Sequence, residues 1–149
     1  MEFGPDLHSR FERLALKLGN AVQPGPQRIP EPIGGPFLEF DLAAQIQDLR
    51  REPAWTSGHN SKTMVKHPDL RLVLTVMKAN TSIHEHSAAG SISVHTVAGH
   101  IRMHVAGREF DLPAGHLLAL DAAVPHDVEA LEESAFVLTI AWPAEHKRH

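Results

Sequence analysis

The 149-residue chain predicts an all-β fold, a single small barrel or sandwich of short antiparallel strands, and three observations carry that expectation. From Ser61 to Trp142 the apolar residues recur with a period near two, in short segments rich in Val, Ile, Leu and Thr. Turn residues cut those segments every eight to twelve positions or so, the spacing of a sandwich or barrel. The length is that of one domain, able to bury roughly two-thirds of its unfolded surface around one core.

The elements follow in order. Residues 1–36 read as an N-terminal arm: a short amphipathic piece carries Phe11, Leu14, Leu16 and Leu18, and Gln23-Pro-Gly-Pro26 and Ile33-Gly-Gly-Pro36 follow it. Pro and Gly at that density sustain neither a helix nor a sheet interior. Residues 37–149 form the barrel domain. Asp41 is placed to cap a helix over 42–51, with Leu42, Ile46 and Leu49 on one face and Pro53 as the stop. Strands are expected over 62–67, 70–78, 82–86, 92–97, 100–105, 108–112, 116–120, 124–131 and 135–142. His67-Pro-Asp69 turns the first pair, and Ala98-Gly99 and Gly107-Arg108 read as hairpin turns because glycine supplies positive φ. Pro113-Ala-Gly115 has the form of a type II turn.

Composition narrows the function. The formal charge is −4, and no run of Lys or Arg occurs beyond Lys147-Arg148, so the basic stripe that nucleic acid or an anionic membrane requires is missing. No cysteine is present, which excludes disulfides and thiolate metal sites. With no long apolar run and no leader pattern, the expectation is a soluble, cytoplasmic protein. Phosphate loops, nucleophile elbows and dinucleotide fingerprints are absent. Twelve histidines is a high count for this length, and neutral imidazole suits Fe, Mn, Ni, Cu and Zn.

Two of those histidines, His84 and His86, stand two apart in a strand segment, a spacing that on a regular strand aims both at one face. His126 follows Pro125 forty residues later, and a third imidazole from another strand would complete a site for a divalent transition metal. Alternation sends Val128 and Ala130 to the face of His126, so the site should have an apolar floor. Ile101, Met103 and Val105 should face the core, leaving His100, Arg102 and His104 outside. Asp121, Asp127 and Glu129 are candidates to orient an imidazole.

With Thr96-Val-Ala-Gly99, Leu112-Pro-Ala-Gly115 and Val124-Pro-His126, the His84-x-His86 pair resembles the two sequence motifs of the cupin superfamily over about residues 80–143. The resemblance implies a small, single-domain, RmlC-like jelly-roll β-barrel, commonly homodimeric, with a metal inside its open end. It matches His84 and His86 to the first motif's histidines and His126 to the second's. The first motif's glutamate, seven residues before the glycine, falls at Ile92, which binds no metal. His95 is the nearby substitute, as a fourth ligand if a bulge shifts the strand, or otherwise as an outer-face residue.

Without the glutamate, three neutral imidazoles leave the ion's charge uncompensated and favour an anionic ligand. Three functions remain open. The first is a metal-dependent enzyme, dioxygenase-like or isomerase/lyase-like, on a small anionic molecule. The second is a non-catalytic small-molecule-binding or sensor module, and the third a structural barrel without metal. In any of them the arm could cover exposed strand edges across a homodimer's two-fold.

Overall fold

The computed structural model describes residues 36–143. The arm expected over residues 1–36 lies, but for Pro36, outside the described residues, as do residues 144–149. Helix α1, Leu42–Arg51, begins where the Asp41 carboxylate accepts the Ala44 N–H at 3.1 Å. Pro53 ends it and opens a 3₁₀ turn, Pro53–Ser57, that closes on Gly58 at φ 114°. The fully buried Asn60 then donates from Nδ2 to the Leu49 carbonyl and to Glu52 Oε1, at 2.9 and 3.0 Å. That one side chain satisfies an orphan carbonyl at the helix end and ties α1 to the sheet.

Nine strands follow among the described residues: β1 His59–Lys66, β2 Leu70–Met77, β3 Ser82–His86, β4 Ser91–Ala98, β5 His100–Val105, β6 Arg108–Pro113, β7 Leu117–Leu120, β8 His126–Ala130 and β9 Ser134–Ala141. All pair antiparallel, in a five-stranded sheet ordered β1-β2-β9-β4-β7 and a four-stranded sheet ordered β3-β8-β5-β6. The two inner faces enclose the main core, in which Val73, Met77, Val94, Phe136, Leu138 and Ile140 of the larger sheet meet Ile101, Met103, Leu112, Val128 and Ala130 of the smaller. This is the all-β jelly-roll architecture expected from the sequence.

The two sheets differ in their outer faces, and the sequence pattern of each strand follows from that. Ile46 and Leu49 of α1 pack with Met64, Val65, Leu74, Val76 and Ala135 on the back of the larger sheet. Strand β2 is thus buried on both faces, which is why Leu70-Arg-Leu-Val-Leu-Thr-Val-Met77 is a nearly unbroken apolar run. The smaller sheet has no such cover among the described residues, and in β5 and β8 buried and half-exposed residues alternate strictly.

One expected hairpin is not a hairpin. Strand β4 belongs to the larger sheet and β5 to the smaller, so Ala98-Gly99 carries the chain from one sheet to the other. Gly99 sits at φ 80°, and a Cβ there would lie 2.3 Å from the Glu133 carbonyl oxygen and 2.4 Å from Ser134 Oγ. The glycine is required by a close approach of backbones as well as by its φ. Gly107 does turn a hairpin, between β5 and β6, with Ala106 and Gly107 at φ 51° and 79° and open space around the latter.

Substitution of these two glycines should therefore differ in cost. Gly107→Ala meets only the left-handed backbone penalty of about 1–2 kcal/mol. Gly99→Ala should lose distinctly more, because the Glu133 backbone must also move. Urea denaturation of both variants checks this, and equal losses would contradict the packing described at Gly99.

Candidate functional site at the barrel mouth

Among the described residues, one end of the barrel is sealed and the other is not. Around the β4–β5 crossover Thr96, Ile101, Ala130 and Phe136 are at most 1% exposed, whereas at the far end Arg71, Leu120, Val124 and Trp142 are only half buried. His126 opens β8 at that far end. Val128 and Ala130 face the core, so alternation turns His126 inward as well, and it is 3% exposed. Its Nδ1 lies 2.9 Å from the Val124 carbonyl oxygen, which can only accept, so Nδ1 carries the proton of this bond. Asp127 and Glu129 alternate to the outer face.

Strand β3 is irregular at the His84-x-His86 pair. Ser82 and Ile83 pair with Glu129 and Val128, but the next pair is His86 with His126, so His84 and Glu85 together stand opposite the single residue Asp127. This is a β-bulge, and it breaks the alternation on which the common face of the two histidines depended. Ile83 is buried in the core and His84 is exposed. His86 is brought into register with His126. Among the described residues no group of three or more His, Asp or Glu side chains converges as a metal site.

His95 also takes the outward alternative. The irregularity in β4 lies between Thr96 and Ala98, beyond it, so His95 keeps the phase opposite to the buried Ile92 and Val94 and pairs with Leu117 and Val137 on the outer face of the larger sheet. Gly90 serves a close approach to the Ala141 backbone, where a Cβ would meet the carbonyl oxygen at 2.4 Å. Ile92, at the position of the missing carboxylate, is 4% exposed and part of the core.

Sequence reading passed over Arg71. It is in phase with the inward-facing Val73, its strand partner on β9 is Ile140, and Ile140 in turn pairs with Ile92. This row lies at the same end of the barrel as His126, because β4 begins five residues after β3 ends at His86. The Arg71 guanidinium lies 5.1 Å from the centroid of the Trp142 ring, its Nε is buried, and Trp142 packs against the main core. The signal was present as a charged residue interrupting the inner phase of an apolar run.

No family model matches the chain, and no curated protein matches it either. Solved structures do. A cupin superfamily protein from Desulfitobacterium hafniense superposes with a TM-score of 0.56 at 13% identity, over 79% of this chain and 94% of that one. An RmlC-like cupin from Shewanella frigidimarina gives 0.55 at 18% identity, over 60% and 80%. KdgF from a Halomonas species gives 0.53 at 19% identity, over 60% and 84%. The fold is that of a cupin.

The outer face of the smaller sheet is a charged ladder. His104 on β5 stands between Asp127 on β8 and Glu109 on β6, with Nδ1 2.6 Å from Asp127 Oδ1 and Nε2 3.3 Å from Glu109 Oε2. Two residues along, Arg102 Nε donates to Asp111 Oδ1 at 2.7 Å. Asp127, one of the residues expected to orient an imidazole, thus orients His104 rather than the inward His126. The hydrogen bond that His104 donates to Asp127, then the charge of Asp127 and the hydrogen bond to and charge of Glu109, raise the His104 pKa against the opposing effect of desolvation. Arg102 likewise holds Asp111 below the usual carboxylate range, chiefly through their hydrogen bond.

Two outcomes follow for this barrel. A His104 pKa raised on folding contributes stability that is fully present below the ordinary value of 6.5 and is lost as pH rises through the higher folded value. The stability difference between the parent and His104→Gln should therefore shrink from pH 6 toward pH 8 in urea titrations; a difference that grows over that range would contradict the Asp127 contact. Nitrogen-15 spectra should show neutral His126 as the Nδ1-protonated tautomer, and the other tautomer would contradict its bond to Val124.

Proposed function

We propose that this cupin is a metal-dependent enzyme acting on a small anionic molecule, with a divalent transition ion held at the barrel mouth by His126 and His86. The observation that carries the reading is the cross-strand pairing of these two histidines, one of which is buried with Nδ1 tied to a carbonyl. Metal-ligating histidines commonly donate their second ring nitrogen to such a partner, which fixes the ring and leaves the other lone pair for the ion. The donor set fits in part. Two imidazoles suit Fe, Mn, Ni, Cu or Zn, while the carboxylate position is the buried Ile92.

Two neutral ligands leave the ion's charge uncompensated, so its remaining positions favour water and an anionic ligand. A divalent ion there would polarise a bound oxygen, the common requirement of oxygenase-like and of isomerase- or lyase-like chemistry. Around it the chain supplies an apolar wall, with Val105 and Val128 beside His126 in the smaller sheet. That wall excludes water from the ligand's body. The apolar Ile92 favours a second reading, a non-catalytic small-molecule-binding or sensor cupin, in which a ligand binds without turnover.

Plasma mass spectrometry of protein purified without chelators distinguishes these readings. The first expects about one equivalent of metal in the parent and in His84→Ala, and its loss in His86→Ala and in His126→Ala. Absence of metal even after reconstitution with each ion sinks it and leaves the binding module. Loss in His84→Ala alone would overturn the assignment of the pair.

A further inference from the structure

Helix α1 packs over β1 and β2 and leaves the other half of the larger sheet's outer face bare among the described residues. There the outward side chains form two cross-strand rows over β9, β4 and β7. Val137, His95 and Leu117 make one row, and Thr139, Ser93 and Ala119 the next. Val137 stands at the margin of the helix-side core, so the apolar surface continues from that core onto the bare strip, and Leu117 at its far side is 58% exposed. None of the six is an acid, a lysine or an arginine, whereas the smaller sheet turns a charged ladder outward.

The same corner holds the least protected edge. Among the described residues the two sheets have four edge strands, β1, β7, β3 and β6. Strand β1 carries the exposed Lys62 and Lys66 with a register shift, β3 is bulged, and β6 carries Glu109, Asp111 and Pro113. Each of these features discourages pairing with another chain. Strand β7, Leu117-Leu-Ala-Leu120, has no charge, proline or bulge. Phe37 and Leu38, the other large hydrophobics exposed among the described residues, stand just ahead of Phe40, which packs on the helix-side core.

We infer that the bare half of the larger sheet is a self-association surface, packed face to face on the same strip of a second copy of this chain about a two-fold axis. Packed sheets lie about 10 Å apart, close to the diameter of a helix with its side chains. A second copy's half-sheet therefore fills the layer that α1 fills over β1 and β2. With the axis running along the strands, α1 of each copy lies beside β7 of the other and covers that edge, a known means of protecting an edge strand. An uncharged face offers a charged partner no counter-charge, while a two-fold contact sets no like charges together across it. The strip, three strands wide, spans about 300 Å² per copy, against about 800 Å² per partner in a standard interface. The contact of α1, Phe37 and Leu38 with the partner's β7 supplies the remainder.

Sedimentation of the full-length chain at micromolar concentration tests this. The parent should be a dimer, and Leu117→Lys and Ala119→Lys should each raise its Kd tenfold or more, because a two-fold counts every buried lysine twice. Both positions are exposed in the single copy, and thermal melts confirm that the variants fold. Ser82→Lys, at an exposed position on the edge of the smaller sheet, should leave the dimer unchanged. The chain has no cysteine, so in Ala119→Cys the single thiol should be linked to its copy by a short bis-maleimide, and in Ser82→Cys it should not. A monomeric parent would overturn the inference, and is the result expected if residues 1–35 of the same chain occupied the strip instead. A dimer that survives both lysine variants, or equal cross-linking at positions 82 and 119, would overturn it as well.

Discussion

The phase of strand β8 governs the site. Val128 and Ala130 are committed to the core, and because side chains alternate along a strand, His126 is drawn inside with them while Asp127 and Glu129 are sent out. A slip of one residue would put two carboxylates into the apolar interior and the imidazole into water, at a cost no local rearrangement offsets. Both flanking strands conform to this. On β5 the outward residues are His104 and Arg102, facing Asp127 and Glu129 across the strand pair, so the outer ladder of opposite charges and the inward histidine follow from one phase.

Strand β3 meets the same constraint by a different route. Its Ile83 is needed inside, opposite Val128, and without an irregularity the residue opposite His126 would be Glu85. The extra residue in β3 replaces that glutamate by His86. A bulge is the least disruptive device for re-aiming a strand end, since it costs a ladder bond locally and leaves the register beyond it intact. The histidine spacing is therefore informative, but through one member of the pair.

Much of the fold was legible because it depends on local pattern. The helix limits at Leu42 and Arg51 follow from the Asp41 cap and from Pro53, and the limits of β5 follow from two-residue periodicity alone. The buried phase of Ile101, Met103 and Val105 was readable for the same reason, as was the apolar floor at Val128 and Ala130. What was not legible depends on partners distant in sequence. Gly99 has the appearance of a hairpin glycine until Glu133 and Ser134 are seen against it. The β3 bulge is defined by β8, more than forty residues away, and nothing within Ser82–His86 marks it. Arg71 was overlooked because β2 is buried on both faces, so that neither phase of the run stands out.

The functional account reduces to one geometric statement, that the bulge in β3 sets His86, and neither Glu85 nor His84, across from His126. Cross-strand nuclear Overhauser effects between the backbone protons of β3 and β8 measure it directly. Contacts from His86 to His126, together with those from Ile83 to Val128, are what the account predicts. Contacts from Glu85 to His126 with the Ile83 to Val128 pair retained would mean an unbulged strand, and would contradict it.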